Sequence, residues 1–236
     1  MESTFLFILG LIVGSFLAAF TYRFPRGISI RKGRSFCPCC RVTIGWRDNI
    51  PLFSYLLLGG RCRHCHKKIS PRYPLIEIAT ALIFVFIGPN IFLLTVSCLL
   101  IAIAIIDIEE MIIPDELVFA GLGLTFLFKL ASSDFYASFF AGSAGAVFLL
   151  LIHLITRGRG MGLGDVKLVL LLGSVLGISL LPLFLLVSFL TGGAVASILL
   201  VTGRANMKQR IAFGPFLVTG YFITWFVSQT LQFRFF

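Results

Sequence analysis

The chain has 236 residues, of which 58% are hydrophobic, 14% aromatic and only 13% charged, with a mean hydropathy of +1.01. A soluble globular domain of this length is excluded, which leaves an all-α polytopic membrane protein. The formal charge of +10 calls for no nucleic acid, because the anionic membrane lipid of an inner leaflet is a sufficient partner for it.

Apolar runs at 4–22, 74–87, 91–106, 117–131, 137–156, 166–181, 183–202 and 213–233 predict about eight transmembrane helices. Several are shorter than the roughly 20 residues that a crossing takes. The first begins after Glu2 with no basic segment ahead of it and stops at Arg23 and Arg26, so a retained helix is expected rather than a cleaved signal. Gly88-Pro89-Asn90 marks a tight hairpin, whereas Pro182 marks either a second break or a kink that would leave seven spans. No repeat of fixed period is visible.

With the N-terminus outside, eight spans put eighteen Lys and Arg inside and two outside. Inside fall the twelve from Arg23 to Arg72, then Arg157, Arg159, Lys167, Arg204, Lys208 and Arg210, while Lys129 and Arg234 fall outside. The excess of inner positive charge favours this orientation. It predicts three parts: a first transmembrane helix at 1–22, a cytoplasmic cysteine-containing lobe at 23–73 and a transmembrane body at 74–236.

A lobe of about 50 residues with so modest an apolar content needs a staple. Cys37-x2-Cys40 and Cys62-x2-Cys65, twenty-one residues apart, present four thiolates in the pattern that holds structural zinc. A redox pair or free thiols are the alternatives, and a reducing cytoplasm disfavours disulfides. Cys39, between the first two thiols, and His64 and His66, flanking Cys65, read as bystanders, with exchange into the ligand set as the alternative. Cys98 reads as a small packing residue within a span.

Two acids stand out because a charge in lipid costs several kcal/mol, about 2.5 to 3.5 on insertion scales. Asp107 ends the third apolar run, and Asp165 opens the sixth after Gly162-Leu163-Gly164. In the eight-span arrangement both lie at the same face, and two carboxylates brought close share one proton and serve as base and acid in turn. The bland alternative is a helix cap at the water interface. Around Asp107, Glu109, Glu110 and Glu116 read as solvated charge, and Asp115 after Pro114 as the cap of the next span. Four glycines between Gly158 and Gly164 predict irregular backbone, tolerated at membrane depth only against protein or a water-filled cavity. Such a segment suits admission of an extended peptide, with plain linker flexibility as the alternative. Lys167 is expected to pair with Asp165 or to anchor at the interface. His153 is expected to pack or to bond a neighbouring helix, and no Ser or Cys nucleophile with a His partner is apparent.

Several further segments occur in order with these. They are Gly14-Ser15-Phe16-Leu17, Tyr22-Arg23-Phe24-Pro25, Asn49 through Leu56, Arg72-Tyr73-Pro74-Leu75-Ile76-Glu77, Ile113-Pro114-Asp115, Gly164-Asp165-Val166-Lys167-Leu168 and Phe213-Gly214-Pro215-Phe216. Together they resemble the bacterial type IV prepilin peptidases, membrane aspartic proteases with a Gly-x-Gly-Asp motif, over nearly the whole chain. The resemblance implies Asp107 and Asp165 as catalytic residues, with Gly162, Gly164, Lys167 and Asp115 in the active-site loop. It further implies an aspartic endopeptidase of the bacterial inner membrane that removes the basic leader peptide of type IV prepilins or pseudopilins after Gly at the cytoplasmic face. Such hydrolases serve type IV pilus assembly, secretion or competence. N-methylation of the new terminus with S-adenosylmethionine is implied by the resemblance alone. The acidic stretch 107–116 suits a positively charged leader. Glu77 is left between a direct role and an ion pair with an arginine. A peptidase without methyltransferase activity, an ion-conducting transporter and a structural scaffold are the alternatives, and no oligomeric state follows from these residues.

Overall fold

A computed structural model describes residues 1–29, 35–130, 135–204 and 211–232, with the side chains of the last two left aside. Arg31, Lys32, Arg34, Lys208, Arg210 and Arg234, all used in the charge partition, lie outside them. The described residues form helices and one 3-10 turn, with two isolated bridges and no named strand.

Eight helices coincide with the eight apolar runs: α1 (Glu2–Arg23), α3 (Arg72–Ile87), α4 (Ile91–Glu110), α5 (Asp115–Lys129), α6 (Phe135–Ile155), α7 (Leu163–Leu176), α8 (Leu181–Val201) and α9 (Gly214–Gln232). The short α2 (Phe53–Leu57) and the 3-10 turn Trp46–Asn49 belong to the hydrophilic segment. By length and composition α1, α4, α6 and α8 are able to cross a membrane. Pro182 is a break rather than a kink: α7 ends at Gly177 with φ +83°, and Pro182 sits in the first turn of α8. A missing N–H costs nothing there.

The chain divides into two compact units, Met1–Ala102 and Ile103–Phe236, with the boundary inside α4. In the first unit α1 packs on α3 through Gly10 and Gly14. A Cβ built at Gly10 would stand 2.5 Å from Ala81 Cα, and one at Gly14 2.7 Å from Glu77 Cα. Two glycines four apart let helix backbones approach closely where apolar burial offers no driving force. The opposite side of α1 leaves Phe5, Ile8, Ile12 and Phe16 more than half exposed, an uncovered apolar stripe suited to lipid. Arg72 closes the pair by donating to the Ala18 carbonyl at 2.8 Å and to Thr21 Oγ1 at 2.7 Å. Cys98 packs beside the cluster of Leu6, Phe84 and Leu94, as its apolar surroundings predict. The Gly88-Pro89-Asn90 hairpin forms as expected, with Gly88 at φ +75° and Asn90 Oδ1 accepting the Leu93 N–H at 3.1 Å.

In the second unit α6 and α7 meet at Gly142 and Gly173. A Cβ at Gly142 would overlap Ser174 Oγ and the Leu170 carbonyl, and one at Gly173 would lie 3.0 Å from Gly142 Cα. Gly220 of α9 meets Ser188 of α8 in the same manner. Lys129 ends α5 by donating to the Ser174 and Val175 carbonyls at 3.0 and 3.2 Å and to Ser138 Oγ at 2.7 Å. Those carbonyls belong to the last turn of α7, which has no intrahelical donors left for them. Lys129→Met leaves them unanswered and is expected to cost about 1.5–3 kcal/mol, read as a lower thermal midpoint of the detergent-solubilised protein. Lys129→Arg is expected to recover part of that loss.

Candidate active site and metal centre

Asp107 and Asp165 both belong to the second unit and are buried, at 5% and 8% exposure. Asp107 lies in the last turn of α4, where Met111, at φ +55°, ends the helix by donating its N–H to the Asp107 carbonyl at 2.9 Å. Its Oδ2 accepts the N–H of Gly214, the first residue of α9, at 2.9 Å. Asp165 is the third residue of α7, and its Oδ2 accepts the N–H of Gly162 at 3.0 Å, a capping contact across the helix start. Asp165 is near enough to feel the charge of Asp107. Both acids therefore sit where backbone N–H groups at helix starts favour negative charge, each held by one oxygen.

Three glycines permit this approach. A Cβ at Gly214 would stand 2.7 Å from Asp107 Oδ2, and one at Gly162 3.1 Å from Asp165 Oδ2. At Gly164 a Cβ would be 3.1 Å from Ile113 Cβ, and Ile113 Cδ1 also lies 3.4 Å from the Gly214 position. Gly214 carries no chemistry as a residue type, and the resemblance of Phe213-Gly214-Pro215-Phe216 was the one signal for it in the sequence.

The glycine-rich segment is irregular only as far as Gly162. Arg157 and Gly158 take positive φ, while Leu163 and Gly164 already belong to α7. Glycine in a first turn closed by an acid at the third position is compatible with a helix, which the expectation of irregular backbone through Gly164 overlooked. His153 bonds the loop after its own helix rather than a neighbouring helix: its Nδ1 lies 2.7 Å from the Met161 carbonyl and anchors this segment. Lys167 turns away from Asp165 and holds Asp115, with Nζ 2.8 and 2.7 Å from Oδ1 and Oδ2. Asp115 is the first residue of α5 and makes no side-chain cap, the N-cap being Pro114. The expected capping role is replaced by this ion pair.

The first unit holds the four thiols. Cys37, Cys40, Cys62 and Cys65 place their sulfurs all within 4.8 Å of one another. Cys37 Sγ lies 3.9 Å from Cys65 Sγ, and Cys40 Sγ 4.0 Å from Cys62 Sγ. A disulfide needs about 2.05 Å, whereas a tetrahedron with metal–sulfur bonds of about 2.3 Å has edges of about 3.8 Å. The set thus fits a metal ion. Each pair rides on the same turn, built twice: the Cys37 and Cys62 N–H groups donate to the Val42 and Lys67 carbonyls, and Arg41 and His66 return to the Cys37 and Cys62 carbonyls with positive φ. The Cys65 and His64 N–H groups hold the Cys62 thiol down at about 6. At Cys65 the Lys67 N–H draws the thiol down, but desolvation and hydrogen bonding with Cys62, Cys40 and Cys37 outweigh it and push the group up to about 12. Neighbouring thiolates resist joint ionisation without a cation. Arg63 binds Asp48 by two bonds of 2.8 and 2.6 Å, tying the second turn to the 3-10 turn and holding that carboxyl below its usual range.

Glu77 is 6% exposed. Its Oε2 accepts the N–H of Leu52 at 2.8 Å, and so pins a residue with φ +61°, where a branched side chain is strained.

Fold and site define an all-helical membrane protein with a buried pair of carboxylates and a separate tetrathiol centre. Residues 8–90 match the bacterial peptidase A24 N-terminal domain and residues 93–197 the type IV leader peptidase family. A protein of Bacillus subtilis named prepilin leader peptidase/N-methyltransferase is 34% identical over 238 residues, 96% of this chain and 94% of that one. Proteins of the same name from Neisseria gonorrhoeae and Klebsiella pneumoniae are 35% and 38% identical, covering 92% and 78% of this chain and 87% and 90% of theirs. The chain belongs to the type IV prepilin leader peptidase family. No solved structure matches it.

Proposed function

We propose that the chain is an intramembrane aspartic endopeptidase that removes the basic leader of type IV prepilins or pseudopilins and then methylates the new N-terminus. The observation that carries the reading is the pair Asp107 and Asp165, both buried, with Asp165 within reach of the Asp107 charge and each accepting a backbone N–H through Oδ2. The ionised acid takes a proton from a water whose oxygen attacks the scissile carbonyl carbon. The protonated partner gives its proton to the leaving amide nitrogen, and the C–N bond breaks. One product carries the new carboxylate, and the other leaves with a free amine ready for methylation. S-adenosylmethionine supplies an electrophilic methyl group for that amine, a role that rests on the names of the relatives.

The charge partition supports eight spans, an outside N-terminus, and both the 23–73 lobe and the acids at the cytoplasmic face of the inner membrane. In that arrangement 1–22 is an anchor helix and 74–236 the peptidase body. Gly162, Gly164, Asp115 and Lys167 form the rim of the site, and the acidic stretch after Asp107 attracts a cationic leader.

Cys37, Cys40, Cys62 and Cys65 would hold structural zinc, which binds thiolates and releases their protons on loading. Metal analysis of the purified protein is expected to give about one zinc per chain, and Cys37→Ser to lose it while leaving the two acids in place. Because loading requires thiolates, protons compete with the metal, and zinc is expected to be released as the pH is lowered. A metal content that is insensitive to acid would contradict the assignment.

The deciding experiment is mass spectrometry of a prepilin co-expressed with the wild type or with Asp165→Asn. A shortened product carrying one added methylene only with the wild type supports both activities. A shortened, unmethylated product supports the peptidase alone, and an intact prepilin in both cultures rejects the reading for that substrate class.

A further inference from the structure

We propose that the Asp115–Lys167 ion pair is a latch that fixes the spacing of the two carboxylates, so that both are positioning residues for cleavage; this rests on reading Asp107 and Asp165 as catalytic. Asp115 opens α5, and Lys167 stands two residues beyond Asp165 in α7. Both carboxylate oxygens of Asp115 lie within 2.8 Å of Nζ. The connection from Asp107 to Asp115 turns at Met111, with φ +55°, and reaches the buried Pro114 through Ile113.

Ile113 is the spacer. Its side chain rests on Gly164, next to Asp165, and on Gly214, whose N–H holds Asp107. One isoleucine therefore separates the backbone that carries one acid from the backbone that orients the other. Displacing it leaves both backbones free to shift, because its Cβ lies 3.1 Å from the Cβ position of Gly164 and its Cδ1 3.4 Å from that of Gly214. The ion pair ties the far end of the connection to α7 and keeps Ile113 seated.

Fold stability does not account for the pair. Its side chains are 39% and 50% exposed, and pairs so exposed add little to folding. A latch in this place is expected to act on turnover, since small misplacements of reacting groups are costly in rate.

The test uses the purified full chain in detergent with a solubilised prepilin, and separates kcat from KM. Lys167→Met and Asp115→Asn are each expected to lower kcat about tenfold with the thermal midpoint little changed; KM is expected to hold for Lys167→Met and to rise for Asp115→Asn, which removes one charge from the acidic stretch. The exchanged pair, Asp115→Lys with Lys167→Asp, is expected to regain most of the loss, as is Lys167→Arg. Single variants with wild-type kcat, or an exchanged pair no better than the singles, would overturn the latch. Should a single variant fail to fold, the kcat of the wild type against NaCl decides, because salt screens exposed pairs: a fall at saturating substrate supports the latch and a flat response rejects it. Asp107→Asn and Asp165→Asn run alongside, and cleavage by either one at close to the wild-type rate refutes the catalytic reading itself, whatever the latch variants do.

Discussion

Asp107→Asn and Asp165→Asn are each expected to reduce cleavage by about 10³-fold or more, with the protein still folded in the membrane. Asparagine matches aspartate in shape and keeps an oxygen for the N–H of Gly214 or Gly162, so helix starts and packing survive. What disappears is the ability to take up and release a proton. A positioned acid or base contributes about 10²–10⁴-fold to such reactions, and a shared-proton pair loses both functions with either member. Stability is expected to hold or rise, because an amide avoids the desolvation penalty of a buried charge. Cleavage of prepilin and the thermal midpoint, measured on the same preparations, check both halves. If the acids were mere interface caps, the order would reverse, with stability falling and cleavage surviving.

Gly214→Ala is the second large effect, expected to lower kcat by about 10²-fold at nearly constant KM. The added carbon meets Asp107 Oδ2 at 2.7 Å and Cγ at 3.2 Å, with Ile113 Cδ1 at 3.4 Å on another side. The carboxylate must move, and in moving it leaves the N–H that orients it. Gly193→Ala in α8 is the matched control, since a Cβ there meets nothing within 4 Å, and its kinetics are expected to equal those of the wild type. Equal kinetics for Gly214→Ala would show that the Asp107 rotamer is not what this glycine protects.

The helices and the two acids were legible because their signals are local and costly to fake. Apolar runs longer than a soluble core tolerates, and carboxylates at their ends, carry a free-energy penalty that reads straight from residue order. The four thiols were legible because Cys-x2-Cys is a property of one turn. Contacts between distant segments were not. That Lys167 holds Asp115 rather than Asp165 depends on how α5 and α7 pack, which the local charge pattern does not encode. Gly10 and Gly14 lie at the spacing of a small-residue contact that went unread, and nothing in their order says that α3 is the helix they receive. Gly214 was the hardest, since its contributions are an absent side chain and a backbone N–H, neither of which has a residue-type signature.

The clasp between Arg72 and the end of α1 bears on how this architecture can change. The chain leaves the helix pair after Arg23 and returns at Arg72 to the same spot, so the intervening residues are a closed excursion hung on a fixed pair of anchor points. Lengthening a closed loop costs only about 0.6 kcal/mol per doubling. The excursion can therefore grow, shrink or exchange its staple without re-registering α1 on α3, and a graft between its two anchor points that keeps a donor for the buried Glu77, as the Leu52 N–H is now, is a practical route to chimeras.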